Sequence, residues 1–187
     1  VRTAEEQIML QMASRISKKR DAGYMLNLED AQKDIRTNAL GLHRPMLAKT
    51  YQHHSKISVG AVWQHKYNGF RCLMKKTASG VIAYSRNGKL IDTISHITDS
   101  IFDYMEDGDI FDGELYCHGQ TLQTIASWTK RKQADTLKIK YHIYDMISDL
   151  PYKERLVDLL ERLQPAENLP FGVVPTLPVA ATTGEYR

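Results

Sequence analysis

The sequence predicts an α+β fold of mixed, mainly antiparallel sheets with flanking helices. Short β-rich runs broken by Gly, Asn and Asp fill residues 59–147, a spacing typical of strands joined by turns. Longer amphipathic helical patterns lie near the N-terminus and after residue 150. Segregated helices beside antiparallel strands favour an α+β class over a parallel sheet with regularly alternating helices.

The first predicted element is an amphipathic helix over residues 4–20. Apolar residues recur three to four positions apart from Ile8 to Ile16, and the basic residues 18–20 lie at the end where they suit the helix dipole. We expect this helix to end near Gly23 and to pack against the main body.

The remaining elements follow a polar, partly helical connector at residues 24–44. Leucines at 156, 159, 160 and 163 form an apolar stripe of the kind that packs into a core. The predicted strands are 61–66, 70–76, 80–85, 110–116, 139–147 and 172–179. The predicted helices are 93–105, 121–131 and 152–163.

Composition indicates a globular protein, because 42% of the 187 residues are hydrophobic and 25% are charged. No apolar run approaches the ~20 residues of a membrane span, so no membrane partner is expected. A formal charge of +3 permits contact with nucleic acid. Cys72 and Cys117 fall in strand-like runs, which predicts buried free thiols in a reducing, cytoplasmic compartment.

Residues 66–71 place a lysine, an Asn-Gly pair and an arginine between two predicted strands. Asn-Gly is a turn signal because both residues tolerate positive φ, so Lys66 is expected at a strand end where backbone can approach a ligand. A lysine amine can serve as a covalent nucleophile, and Arg71 offers a planar cationic fork for phosphate. The alternative is an ordinary hairpin with solvated Lys66 and Arg71.

Three further motifs follow in order. Arg86 ends a predicted strand just before a second Asn-Gly pair. An Asp-Gly-Glu-Leu run at 112–115 enters a strand, and Tyr144 precedes Asp145 at the end of another. Each motif alone is explained by a hairpin, a turn or a core aromatic, but their order and separations together favour a functional site.

These motifs resemble those of the nucleotidyltransferase domain of ATP-dependent DNA ligases, particularly the bacteriophage-type enzymes. The family's Lys-x-Asp-Gly-x-Arg motif is matched at 66–71 except for Asn68. Its Ser-Arg motif is matched at 85–86, its Asp-Gly-Glu-Leu strand at 112–115 and its aromatic-Asp strand at 144–145.

The resemblance implies an ATP-grasp-like adenylation domain over residues 44–187, after the helical segment and connector of residues 1–43. Residues 45–48 are similar to the segment that usually leads into this domain, and residues 114–125 also resemble phage-type ligases. The family's last two motifs, an acidic-Gly strand and a Lys-x-Lys strand, do not occur before Arg187, and neither does its OB-fold domain. We therefore expect a truncated core that binds ATP weakly and self-adenylates poorly.

The resemblance also implies the chemistry. Lys66 would attack the α-phosphorus of ATP to give a lysyl-adenylate, and the AMP would pass to the 5′-phosphate of nicked duplex DNA before the strand is sealed. Glu114 would contact the ribose or bind Mg²⁺ through water. Tyr144 would stack on adenine and Gln64 would bond to the adenine edge.

The remaining predicted contacts are basic or imidazole side chains. Arg71 and Arg86 would hold AMP and the 5′-phosphate of the nick, and His65 belongs to the same nucleotide-binding set. Lys130 and Arg131 are predicted DNA contacts, although the ordinary solvated end of a helix explains them equally well. A monomer in the cytoplasm of a bacterium or a phage-infected cell is the expected form.

Three alternatives stay open. An RNA ligase or capping-type nucleotidyltransferase shares the same core logic. A non-catalytic nucleic-acid-binding relative is favoured by Asn68, which stands where the family usually has aspartate, and by the missing motifs. An unrelated α+β protein is the third.

Overall fold

The structure, a computed structural model, consists of two units, residues 1–44 and 45–187. Their identities as a helical segment and a truncated adenylation domain stay predictions. None of the helices described has the length and apolarity needed to cross a bilayer. The residues that the structure describes are 2–21, 24, 27–28, 43–45, 60–163 and 168–179.

In the first unit, helix α1 spans Ala4–Asp21, which confirms the predicted helix. It begins with a reciprocal cap, in which Glu6 N–H donates to Thr3 Oγ1 (3.2 Å) and Thr3 N–H donates to Glu6 Oε2 (2.9 Å). Two backbone donors that a helix start leaves unpaired are thereby satisfied. The predicted stop at Gly23 and most of the connector lie outside the described residues, and packing of α1 on the main body stays a prediction.

The second unit is built on a sheet of five strands in the order β3-β2-β4-β5-β6. Neighbouring strands are antiparallel except β5 and β6, which run parallel. The strands are β2 Phe70–Thr77, β3 Gly80–Ser85, β4 Ile110–Tyr116, β5 Lys140–Met146 and β6 Phe171–Val173.

Three helices of this unit lie in the connections between strands. Helix α2 spans Ser95–Ile101 and continues as a 3-10 turn at Phe102–Tyr104, α3 spans Leu122–Lys130, and α4 spans Tyr152–Arg162. The predicted leucine stripe on α4 is wrong at Leu160, which is 52% exposed, whereas Leu159 is buried.

Side-chain alternation gives the five-stranded sheet two different faces. One face is apolar and joins α2, α3 and α4 in a single core; its strand residues are Cys72, Met74, Phe111, Leu115, Tyr141 and Ile143. The other face carries Arg71, Asp112 and Glu114. Both thiols are free, as predicted, but only Cys72 is buried; Cys117 lies just beyond β4 and is half-buried.

A separate two-stranded ribbon pairs β1, Val62–Gln64, with β7, Thr176–Pro178. The hairpin interpretation of residues 66–71 is therefore wrong, because β1 and β2 lie in different sheets. The predicted strand 172–179 is also corrected. It divides at Pro175, which has no N–H for a ladder, and its two parts pair in different sheets.

Candidate active site

The polar face of the sheet carries a row of side chains across three strands. Arg71 of β2 is the register partner of Glu114 of β4, and Glu114 is the partner of His142 of β5. Asp112 lies two residues from Glu114 and so shares its face. Alternation therefore places these four side chains on the face opposite the apolar core.

The loop from β1 to β2 crosses the end of this row, and two of its backbone N–H groups are held by site side chains. Gly69 N–H donates to Glu114 Oε1 (3.1 Å), and Tyr67 N–H donates to the Tyr144 hydroxyl (3.0 Å). Lys66 lies in this loop with an exposed side chain. It lies two residues beyond the end of β1, rather than at the end of a strand over 61–66 as predicted.

Gly69 is required by close approach and not by positive φ. Neither Asn68 nor Gly69 has a positive φ, so the predicted reason for the Asn-Gly pair is wrong. A Cβ at Gly69 would lie 2.3 Å from the Leu115 carbonyl oxygen and 3.0 Å from Glu114 Cγ. The absence of a side chain is what lets the loop lie directly on β4.

Glu114 is a buried acid surrounded by positive groups. It is 8% exposed, and burial raises the pKa of its carboxyl group. Arg71, the Gly69 N–H and Lys66 oppose that rise in pKa. Lys66 is thus near enough to the Glu114 carboxylate to act on it electrostatically.

Arg71 is fixed by Asp112, a residue for which the sequence predicted no role of its own. Its Nε and Nη2 each lie 2.7 Å from a carboxylate oxygen of Asp112. Burial raises the pKa of Asp112, and the arginine opposes that rise. The guanidinium carbon also lies 4.9 Å from the centre of the Tyr144 ring.

Tyr144 is the extra residue of a β-bulge in β5. The register runs from Gly113 opposite Ile143 to Asp112 opposite Asp145, which leaves Tyr144 without a partner. A bulge re-aims a side chain and frees backbone groups from the ladder. The freed Tyr144 carbonyl accepts a hydrogen bond from Gln64 Nε2 (3.0 Å).

Gln64 joins the ribbon to the site. Besides the Tyr144 carbonyl, its Nε2 lies 3.0 Å from the Tyr152 hydroxyl of α4 and 3.0 Å from Thr176 Oγ1 of β7. Sequence reasoning missed Tyr152 and Thr176, since only the fold brings them to residue 64. The Arg155–Asp145 ion pair, at 2.7 Å, holds the same end of β5 against α4.

An aromatic cluster beside the row was not predicted. The Tyr67 ring lies 4.1 Å from His142 and 4.9 Å from Tyr116, centre to centre, and meets His65 edge-on at 4.8 Å. Burial, Lys140 and His65 lower the pKa of His142 to about 4. The cluster anchors Tyr67, the residue that follows Lys66. His65 is exposed and joins the cluster through the Tyr67 ring.

The other predicted site residues are exposed. Arg86 lies one residue past the end of β3. Because β2 and β3 are antiparallel and Cys72 pairs with Ser85, continuing that register brings Arg86 opposite Arg71. Its turn closes through a Gly88 N–H bond to Ser85 O (2.8 Å), with Gly88 at a φ of 79°.

Lys130 ends α3, and Arg131 follows it with its N–H bonded to Ser127 O. In the part of the chain that the structure describes, neither residue forms a hydrogen bond or ion pair with Lys66 or Glu114. Both therefore stay predicted DNA contacts.

The described residues hold no group of three or more His, Cys, Asp or Glu side chains placed to bind a metal ion. Glu114 fits a different kind of site. Within the described part of the chain its carboxylate accepts a hydrogen bond through Oε1 alone, which leaves Oε2 for a water of a bound cation. Mg²⁺ commonly takes one or two carboxylates and completes its shell with waters and substrate phosphates.

Comparisons with known proteins bear on the family and the fold. A profile of the ATP-dependent DNA ligase domain matches residues 45–169. No curated protein matches the chain.

Solved structures with a similar fold include DNA ligases. One, from a study of Lig E DNA ligases, is 23% identical with a TM-score of 0.56, over 74% of this chain and 52% of that one. The Chlorella virus DNA ligase-adenylate is 23% identical with a TM-score of 0.52, over 73% of this chain and 49% of that one. The chain thus spans about half the length of these structures, and the likeness shows a shared fold.

Proposed function

Because the chain belongs to the ATP-dependent DNA ligase domain family, we propose that it binds ATP and forms a covalent adenylate on Lys66 as the first step of sealing nicked duplex DNA. The observation that carries the proposal is the loop from β1 to β2. Just after Lys66, the N–H of Tyr67 donates to Tyr144 and the N–H of Gly69 donates to Glu114, whose carboxylate Lys66 also affects electrostatically.

The proposed step is an in-line displacement at phosphorus. The Lys66 amine, having released a proton to solvent, forms an N–P bond to the α-phosphorus as the bond to the pyrophosphate oxygen breaks. Such reactions depend mainly on positioning and charge neutralisation. The Lys66 side chain is exposed, so its amine is able to approach a bound nucleotide. The hydrogen bonds of the loop hold the backbone from which that side chain extends.

Nucleotide binding is proposed to use the polar face. The Tyr144 ring offers a flat surface for adenine. With Gln64 Nε2 committed to the Tyr144 carbonyl, Gln64 Oε1 is the group that can accept a bond from the adenine amine. Glu114 is proposed to contact the ribose or a water of a bound Mg²⁺, which would neutralise phosphate charge.

Phosphate contacts are proposed to come from Arg71 and Arg86. Two of the Arg71 nitrogens donate hydrogen bonds to Asp112, which fixes the orientation of the guanidinium group that is proposed to face the phosphates. Arg86 is exposed at the neighbouring strand end and is proposed for the 5′-phosphate of the nick. Lys130 and Arg131 are proposed as weaker, salt-dependent backbone contacts, and His65 as a rim residue of the nucleotide site.

The test is to incubate the chain with Mg²⁺ and ATP labelled at the α- or the γ-phosphate. The proposal is supported if the protein retains label from α-labelled ATP and not from γ-labelled ATP, and if Lys66→Ala retains neither. Equal retention of γ-label, or undiminished labelling of Lys66→Ala, contradicts it. Nicks with DNA or RNA on the 3′-hydroxyl side then distinguish DNA ligase from RNA ligase activity.

Asn68 favours a second candidate, a non-catalytic nucleic-acid-binding relative, because it removes the family's usual negative charge beside the nucleophile. In that case Lys66→Ala leaves DNA affinity unchanged and the wild type gains no label. Restoring the charge with Asn68→Asp distinguishes the two, since it increases labelling only in an enzyme.

A further inference from the structure

We propose that Tyr144 is a positioning residue for the nucleophile, in addition to offering a surface to the base. Its hydroxyl accepts a hydrogen bond from Tyr67 N–H at 3.0 Å. That N–H belongs to the peptide bond between Lys66 and Tyr67. The inference rests on the proposed function and adds that one side chain joins the base site to the backbone of the attacking lysine.

The position of the Tyr144 hydroxyl is itself determined by the site. The bulge in β5 sets the direction of the side chain. The Arg71 guanidinium lies 4.9 Å from the ring centre and is held in turn by two bonds to Asp112. Burial raises the pKa of Tyr144, so the phenol stays neutral and its oxygen remains a hydrogen-bond acceptor with a proton of its own.

The Tyr67 ring supplies an independent anchor at the same residue. It packs 4.1 Å from His142 at an interplanar angle of 31° and 4.9 Å from Tyr116. Two residues on, Gly69 N–H is bonded to Glu114. Three contacts therefore hold the chain just after Lys66: those of the Tyr67 N–H, the Tyr67 ring and the Gly69 N–H. Only the first involves Tyr144, which is also part of the proposed base site.

Tyr144→Phe isolates this role, because phenylalanine keeps the ring for stacking and removes only the acceptor. Formation of the adenylate at saturating ATP is expected to slow by about tenfold, the effect of one lost hydrogen bond in the transition state. The KM for ATP is expected to change by less than about twofold, since the stacking surface remains. Tyr144→Leu is expected to raise the KM as well.

The matched control is Tyr104→Phe, which removes a hydroxyl from a half-buried tyrosine that packs on Phe171 at 5.2 Å in the apolar core. Its labelling rate is expected to equal that of the wild type. A second readout is amide hydrogen exchange by NMR. The Tyr67 amide should exchange faster in Tyr144→Phe, while the Gly69 amide, bonded to Glu114, keeps its wild-type rate.

A reduced labelling rate with an unchanged KM and faster exchange at Tyr67 supports the proposal. It is overturned if Tyr144→Phe is labelled as fast as the wild type, whether or not exchange changes, or if only the KM rises. A wild-type chain that forms no lysine adduct at all contradicts the proposed function and with it this inference. The two failures are thus distinguishable.

Discussion

Arg71 and Asp112 form a two-bond ion pair across β2 and β4, with both nitrogen-to-oxygen distances at 2.7 Å. The pair fixes the plane of the guanidinium, which in turn lies against the Tyr144 ring. A charged group that is fixed before ligand binding needs less reorganisation during reaction. The pair therefore supports both the phosphate contact and the orientation of the aromatic ring.

Asp112→Asn should destabilise the protein, because it removes the charge partner of an arginine whose side chain is only 26% exposed. We expect a loss of about 2 kcal/mol in the free energy of unfolding, below the about 3–5 kcal/mol of a fully buried pair. Urea denaturation measures it. Asp135→Asn, which breaks an exposed pair with Lys138, is the control and should cost much less, because water screens exposed ion pairs. Equal losses in the two variants would contradict this account.

Gly69→Ala should weaken both folding and adenylation. The new methyl group would lie 2.3 Å from the Leu115 carbonyl oxygen, so the loop must shift away from β4 at a cost of about 1–3 kcal/mol. The control is Gly172→Ala, where a Cβ meets nothing within 4 Å. Thermal unfolding and α-phosphate labelling of both variants test the prediction, which fails if Gly69→Ala matches Gly172→Ala.

Gln64→Met should impair discrimination between ATP and GTP. Methionine keeps the length of the side chain but cannot donate to the Tyr144 carbonyl or accept from the adenine amine. The ratio of kcat/KM for ATP to that for GTP is expected to fall about tenfold, the effect of one hydrogen bond. Val62→Met, at an exposed position of the same ribbon, should leave the ratio unchanged. An unaltered ratio in Gln64→Met would remove Gln64 from the base site.

The protein should lose stability as the pH falls from about 6.5 towards about 4. The pKa of His142 is lowered from 6.5 to about 4 in the folded chain, so in this range the unfolded chain binds more protons and is favoured. His142→Phe keeps a ring beside Tyr67 and removes the titrating group. Unfolding free energies measured across this range should fall less steeply with decreasing pH for the variant, and identical slopes would refute the assignment.

Local patterns predicted most of the second unit. Strand β4 has the predicted bounds, and β2 and β3 agree within one residue, because alternation and turn residues are read over a few neighbouring positions. Three of the four motifs lie in strands or at strand ends as predicted, for the same reason, whereas Lys66 of the first motif lies in a loop. Family membership of the chain is likewise confirmed.

What the sequence could not predict depends on pairing between distant segments. The bulge at Tyr144 requires the register of β4 against β5, and the division of residues 172–179 requires knowledge that β7 pairs with β1. The ion pair of Arg71 with Asp112 depends on another long-range pairing, that of β2 with β4. Gly69 was identified as important for a wrong reason, since its contact with Leu115 exists only once β4 lies beneath the loop.

The central claim is that Lys66 carries the covalent nucleotide. Digestion of the chain after incubation with ATP and Mg²⁺, followed by mass spectrometry of the peptide that contains residues 61–71, tests it most directly. The account predicts one AMP bound to the Lys66 side chain and none on neighbouring residues. AMP found on another side chain, or no modified peptide after prolonged incubation, would contradict it.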